Sequence, residues 1–133
     1  MKRLTIVALL LFAASSVQAD SLTVTDMAFG TGIENHAITG VDTAFTADVG
    51  RVYCWTVTTG AGEGDTIYHT WILRDYAVQR VPLRVEGARY RTYTFKTMSK
   101  KMTGTWTVEV TDRNGIMLAR DSVVVTEAKT DGT

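Results

Sequence analysis

Apolar and polar residues alternate with a period of two along most of the chain. The clearest run is 104–112, in which Trp106, Val108 and Val110 share one side and polar residues occupy the other. A period of two places successive side chains on opposite faces of a β-strand, and one apolar face indicates half burial. Beyond the first twenty residues no stretch has the spacing of an amphipathic helix. The pattern therefore predicts an all-β protein.

Glycine, proline and asparagine separate these alternating runs. The predicted strands are Leu22–Phe29, Arg51–Thr59, Thr66–Arg74, Val78–Val85, Arg89–Thr97, Gly104–Asp112 and Ile116–Thr126, with a short one near Phe45. About seven to eight short strands are typical of an antiparallel, immunoglobulin-like β-sandwich, and a small closed β-barrel is the alternative. Residues 33–48 are poorly patterned and are expected to form a long, partly packed connection.

Turn residues refine this prediction at three places. Asn114-Gly115 between two alternating runs is a strong hairpin signal, because both residues tolerate a positive φ. Residues 60–65 hold three glycines and are interpreted as a hairpin loop. Pro82 has no N–H for a sheet ladder, so the strand that carries it is expected at a sheet edge.

The first nineteen residues have the pattern of a secretory signal peptide. Met1-Lys2-Arg3 is a short positive segment, an apolar run over 4–14 follows, and cleavage is predicted after Ala19. The apolar run is too short for a transmembrane anchor, which needs about 20 residues. We therefore expect a periplasmic or secreted protein without stable membrane insertion. Its single domain is predicted over 20–126, with a disordered tail over 127–133.

The candidate catalytic and metal-binding residues are few. Cys54 is the only cysteine, so no internal disulfide is possible, and its apolar strand favours a buried thiol. His36 and His69 are not in the spacing of a zinc motif, and no serine nucleophile motif is present. A Cys54–His69 nucleophile pair is disfavoured, because apolar surroundings oppose thiolate formation. The sequence therefore predicts no enzyme, no metal and no cofactor.

Charge is distributed unevenly in the exported part of the chain. Residues 20–67 hold seven acids and one base, Arg51, whereas residues 68–101 hold eight bases and two acids. The basic segment also carries aromatic side chains at strand spacing, as in Arg89-Tyr90-Arg91-Thr92-Tyr93. Two explanations stay open at this point: internal complementarity between basic strands and acidic loops, or a patch for an anionic partner.

This basic segment supplies the predicted ligand-binding residues. Rings that stack and guanidinium groups that form paired hydrogen bonds suit carboxylates, phosphates or sugars. The competing interpretation is structural, since tryptophan and histidine on an apolar strand face commonly belong to the core. Predicted export argues against a nucleic acid. The candidate residues are His69, Trp71, Arg89, Arg91, Tyr93 and Lys96, and His69 with Arg91 is the pair expected at the centre of a site.

Several short motifs together resemble one known family. They are Ile33-Glu34-Asn35, Val52-Tyr53-Cys54-Trp55, His69-x-Trp71, Val81-Pro82-Leu83-x-Val85, Tyr90-Arg91-Thr92-Tyr93, Lys96 and Gly104-x-Trp106-x-Val108-x-Val110. The series, from about Val24 to Val125, is similar to a bacterial domain of unknown function, the 2914 family. Two positions depart from the family pattern: Ala37-Ile38 stands where a proline is expected, and Tyr90 where tryptophan is commoner. The resemblance implies an exported or envelope β-sandwich-like module and no established activity.

Two functions follow as hypotheses. In the first, a non-catalytic envelope module binds an anionic or glycan ligand, or an envelope protein, through the face that carries His69, Arg91, Tyr93 and Lys96. In the second, the protein has a purely structural or assembly role in the envelope, and these side chains only build the fold. The sequence does not indicate the oligomeric state.

Overall fold

The computed structural model describes residues 22–60 and 64–128. The predicted signal peptide and residues 129–133 of the predicted tail lie outside these residues. The strands are β1 (Thr23–Gly30), β2 (Gly32–Glu34), β3 (Ala37–Thr39), β4 (Ala44–Thr46), β5 (Arg51–Thr59), β6 (Asp65–Leu73), β7 (Tyr76–Val85), β8 (Arg89–Thr97), β9 (Gly104–Asp112) and β10 (Met117–Thr126). A single 3₁₀ turn, Lys100–Met102, precedes β9. No helix of the described part is long and apolar enough to cross a membrane.

Two main sheets carry the fold. One has three strands in the order β1-β5-β8, and the other has five in the order β4-β10-β9-β6-β7. All neighbours are antiparallel except β4, which runs parallel to β10. The predicted all-β sandwich is confirmed, because the strands form separate sheets rather than one closed sheet. Its closer likeness to immunoglobulin domains stays a prediction.

The inward face of the five-stranded sheet follows the predicted alternation. On β6 every second residue from Ile67 to Leu73 is buried, and on β9 Trp106 and Val110 are fully buried. The larger apolar cluster packs Trp71 against Trp106 edge to face, with ring centroids 6.1 Å apart. A smaller cluster joins Ile67, Val85 and Val110.

Two turn predictions need correction. β5 and β6 lie in different sheets, so they do not form the hairpin predicted around residues 60–65, of which 61–63 lie outside the described residues. The Asn114-Gly115 hairpin is present, but only Gly115 has a positive φ, of 79°. The Asp112 carboxylate accepts the N–H groups of Asn114 and Ile116 at 2.8 and 3.0 Å, which stabilises a longer loop than the two-residue turn. Pro82 lies on β7, an edge strand, as predicted.

The poorly patterned segment contains a small hairpin that the sequence did not reveal. Strands β2 and β3 pair with each other and lie over the outer face of the three-stranded sheet. Gly30 allows this approach, because a Cβ there would collide with the Thr39 carbonyl oxygen and lie 2.6 Å from Ile38 Cγ1. The Trp55 indole N–H donates to the His36 carbonyl oxygen at 2.8 Å and holds the tip of the hairpin.

Replacing Gly30 with alanine should therefore lift the hairpin from the sheet. We expect Gly30→Ala to lower the free energy of unfolding by about 1–3 kcal/mol, the usual cost of overpacking. The matched control is Gly87→Ala, since the nearest atom to its Cβ would lie at 3.7 Å. Urea unfolding of both variants measures the difference. Equal stabilities would contradict close packing at Gly30.

Candidate functional site

A hydrogen-bonded network crosses the core between the two sheets. His69 lies on β6 and is fully buried. Its Nε2 is 3.0 Å from the Thr56 hydroxyl on β5, and its Nδ1 is 2.8 Å from the Thr94 hydroxyl on β8. The Trp71 indole N–H donates to the same Thr94 hydroxyl at 2.9 Å. This network gives every polar atom of the His69 and Trp71 side chains a partner.

Burial keeps the His69 ring neutral. Loss of hydration lowers the pKa of His69 from 6.5 to about 4. The hydrogen bonds favour the same form, because a neutral ring accepts one bond and lets one threonine hydroxyl donate to it. In the charged form both ring nitrogens are donors, so neither the Thr56 nor the Thr94 hydroxyl could donate a hydrogen bond to the ring. The network therefore suits a structural histidine.

Cys54 is also sealed in the core. Burial, with a smaller contribution from the negative charge of Asp121, raises the pKa of its thiol far above the ordinary value. The Cys54 and His69 side chains make no hydrogen bond with each other. The thiol is thus protonated and inaccessible at neutral pH, which does not suit a nucleophile. The described residues include no group of three or more histidine, cysteine, aspartate or glutamate side chains placed to hold a metal ion.

The outward sides of β5 and β8 form a surface of aromatic rings, here called the aromatic face. It consists of Tyr53 and Trp55 on β5 and Tyr93 and Phe95 on β8, which lie opposite each other in the strand pairing. The Tyr53 ring centroid is 5.8 Å from that of Tyr93 and 5.5 Å from that of Phe95. Tyr93 and Phe95 remain 44% and 39% exposed. Exposed rings that lie side by side form an apolar patch, so the surface is a candidate for binding.

Cationic groups surround the aromatic face. The Arg51 guanidinium lies 4.3 Å from the centroid of the Phe95 ring, a cation–π contact. Arg89 and Arg91 project from the exposed side of β8, next to Tyr93. None of these three arginines forms an ion pair within the described residues. Their charges are therefore available to an anionic ligand.

A shallow pocket lies where the hairpin tip meets the start of β8, and we call it the basic pocket. It is lined by His36, Arg89, Tyr90 and Arg91, and its volume is about 330 Å³. The hydrogen bond from Trp55 to the His36 carbonyl oxygen places the hairpin tip beside the aromatic face. The basic pocket and the aromatic face thus form one continuous surface on the three-stranded sheet.

A second groove opens at one edge of the sandwich. It is lined by Gln79 and Val81 of β7 and by residues 93–97 of β8, and its volume is about 280 Å³. Both strands are the outermost members of their sheets. Lys96 is partly buried in this groove, on the opposite side of β8 from Arg91. The groove therefore exposes the backbone edge of β8.

Residues 64–125 match the sequence model of a family described as a protein of unknown function, DUF2914. Over these residues the chain is similar to the DUF2914 family. The match spans β6 to β10 and includes His69, Trp71, Arg91 and Tyr93, whereas β1 to β5 precede it. A search of curated proteins finds none that matches the chain.

The predicted site residues divide into three groups in and around the DUF2914 segment. His69 and Trp71 are fully buried in the network, so the structure does not bring His69 and Arg91 to one surface. Arg89, Arg91 and Tyr93 share the exposed side of β8, and Lys96 lies in the edge groove. The prediction that His69, Arg91 and Lys96 share one face is therefore wrong. Arg91 and Lys96 lie on opposite sides of β8, and His69 is buried in the core.

Sequence reasoning missed part of the surface. Arg51, Tyr53 and Trp55 alternate cationic and aromatic residues with the same period as β8, and this signal was available. A net charge taken over residues 20–67 does not show this alternation, because Arg51 is the one base among seven acids. His36 had no such signal, since only the hairpin places it beside Arg89.

The Thr94 hydroxyl bonds both the His69 ring and the Trp71 indole, so replacing Thr94 tests how much the buried network stabilises the fold. Thr94→Val removes the partner of both Trp71 Nε1 and His69 Nδ1, so we expect a loss of about 2–4 kcal/mol in the free energy of unfolding. Thr94→Ser keeps the hydroxyl and should cost less than about 1.5 kcal/mol. Chemical denaturation separates the two. Similar losses in both variants would show that the hydroxyl is unimportant.

The lowered pKa of His69 predicts an acid sensitivity. In the unfolded chain His69 becomes protonated below about pH 6.5, whereas in the folded chain it stays neutral until about pH 4. The free energy of unfolding should therefore fall over this window, by about 2–3 kcal/mol between pH 7 and pH 4.5 from this group alone. In His69→Gln the fall over the same interval should be smaller by that amount. Parallel pH profiles for the two proteins would refute the assignment.

Proposed function

We propose that this protein is a non-catalytic binding module of the cell envelope that holds an anionic saccharide on its aromatic face. The observation that carries the proposal is the presence, on the outer side of β5 and β8, of exposed rings beside guanidinium groups that form no ion pair among the described residues. The secretory pattern of the first nineteen residues supports export. No chemistry is assigned to Cys54 or His69, because burial holds both in their neutral forms.

The rings supply the apolar part of the binding energy. Tyr93 and Phe95 present flat surfaces on neighbouring outward positions, and Tyr53 packs against both. Tilted rings of this kind offer apolar area to the C–H face of a sugar, and the tyrosine hydroxyl groups stay in water. A short oligosaccharide lying along β8 would cover the surface that is now exposed.

The guanidinium groups supply charge and direction. Arg91 lies one outward position from Tyr93 on the same strand, so a sugar on the ring can place an acidic substituent beside the guanidinium group. Arginine forms paired hydrogen bonds with carboxylate or phosphate oxygens, which a neutral sugar does not offer. The proposal therefore favours acidic over neutral saccharides.

The edge groove supports a second candidate, an assembly role in the envelope. The outer edge of β8 has no strand partner within the described residues, and residues 93–97 line the opening beside β7. An unpaired edge strand is a template for an added strand from a partner protein. In that case the partner would pair with the backbone of β8, and loss of the outward side chains would matter less than a change at the edge.

Calorimetry with an acidic oligosaccharide, such as an oligogalacturonate, tests the first candidate. We expect Arg91→Ala to weaken binding by about 10–100-fold, the effect of losing a charged hydrogen bond. Tyr93→Ala should weaken it by about tenfold through lost ring contact. Neither variant should change the melting temperature by more than a few degrees, because both side chains are exposed.

The control arginine is Arg84, which lies on β7 in the other sheet and is highly exposed. Arg84→Ala should bind the oligosaccharide as the wild type does. Equal binding by wild type, Arg91→Ala and Tyr93→Ala would overturn the proposed surface. Absence of saccharide binding, together with a partner protein that is lost when a proline replaces Thr97 at the edge of β8, would favour the assembly role instead.

A further inference from the structure

The hairpin tip adds a second element to this surface. We propose that His36, Arg89 and Arg91 form a subsite for an oxyanion, a carboxylate or phosphate group, next to the rings that hold the sugar. This inference deepens the proposed function and rests on it for the identity of the larger ligand. It concerns a different set of side chains, however, and can be tested with a free oxyanion.

Convergence of donors in the basic pocket is the first argument. Arg89 and Arg91 are two residues apart on β8, so their side chains leave the strand on the same side. His36 reaches the same pocket from the hairpin, and Tyr90 completes its lining. Two guanidinium groups and an imidazole offer hydrogen-bond donors from two directions, an arrangement suited to a planar or tetrahedral oxyanion.

The balance of charge is the second argument. The carboxylate nearest to Arg91 in the strand pairing is that of Asp26 on β1, which is separated from Arg91 by Val57 of β5, and Glu34 directly precedes the hairpin tip. Neither forms an ion pair with Arg89 or Arg91 within the described residues. Two adjacent cations without a counter-ion repel each other, and a bound anion would relieve that repulsion.

The backbone at the hairpin tip is the third argument. Asn35 and His36 link the paired residues Glu34 and Ala37, and both have positive φ, 51° and 63°. These are the angles of a two-residue type I′ turn, which favours asparagine first and glycine second. His36 therefore occupies a position where glycine would suit the fold better. Its ring makes no hydrogen bond to the described residues that would offset this cost.

A second hairpin in the chain provides a matched control. Arg74 and Asp75 link β6 to β7 through a turn with positive φ at both residues, 51° and 65°. Asp75 is thus the counterpart of His36 in a turn that does not line the basic pocket. Glycine at either position relieves the same backbone strain, so the two variants should affect stability alike and binding differently.

The experiment compares His36→Gly with Asp75→Gly. Both should melt at the wild-type temperature or above it, and in His36→Gly the carbonyl that accepts the Trp55 hydrogen bond is retained. His36→Gly should bind oligogalacturonate about 5–10-fold more weakly than wild type, and Arg89→Gln by a similar factor, whereas Asp75→Gly should bind as wild type does. Fully methyl-esterified oligogalacturonate should bind wild type and His36→Gly equally, because it lacks the carboxylates.

NMR titration of the His36 ring separates the sources of the oxyanion. Galacturonate and inorganic phosphate are added in turn, and the one that shifts the ring signals at lower concentration identifies the preferred group. If neither shifts them, the subsite is refuted. If Tyr93→Ala weakens oligosaccharide binding and His36→Gly does not, the subsite fails and the saccharide function stands. If phosphate shifts His36 but no saccharide binds wild type, the subsite stands and the saccharide function fails.

Discussion

The hydrogen bond between His69 and Thr94 determines which side of β8 faces water. Among the described strands β8 is an edge strand that pairs with β5, and its sequence mixes threonine, arginine and aromatic residues without a continuous apolar face. Slipping such a strand by one residue would exchange its two faces. Thr94 prevents this, because its hydroxyl must meet both the His69 ring and the Trp71 indole. With Thr94 inward, Arg91, Tyr93 and Phe95 face outward.

The same network divides the core. Along β6, Trp71 belongs to the larger apolar cluster and Ile67 to the smaller one, and His69 lies between them. A polar residue in this place stabilises little by itself, since hydrogen bonds to water are replaced by hydrogen bonds within the protein. It adds specificity, because the two sheets can satisfy the His69 ring in only one relative position. Burial on one side of β8 thus organises the candidate site on the other.

Much of this arrangement could be predicted from local pattern. Alternation placed Trp106, Val108 and Val110 inward and Arg89, Arg91 and Tyr93 on one face, and Pro82 at an edge. Alternation describes a single strand, however, and contains no information on which strands become neighbours. The separation of β5 from β6 and the placement of His36 and Arg89 in one pocket depend on long-range packing, which the local pattern does not predict. The predicted pairing of His69 with Arg91 is wrong for the same reason, because residues of one basic segment need not be neighbours in space.

The candidate surface is assembled from two parts of the chain with different relations to the DUF2914 family. β8, with Arg91 and Tyr93, lies inside the matched residues, whereas β5 and the hairpin that carries His36 precede them. The hairpin is attached mainly by its close approach at Gly30 and by the Trp55 hydrogen bond. Its tip, residues 35 and 36, is thus a short replaceable unit. Exchanging those two residues would change the side chains beside Arg89 while leaving the core intact, because neither residue belongs to the apolar clusters between the sheets.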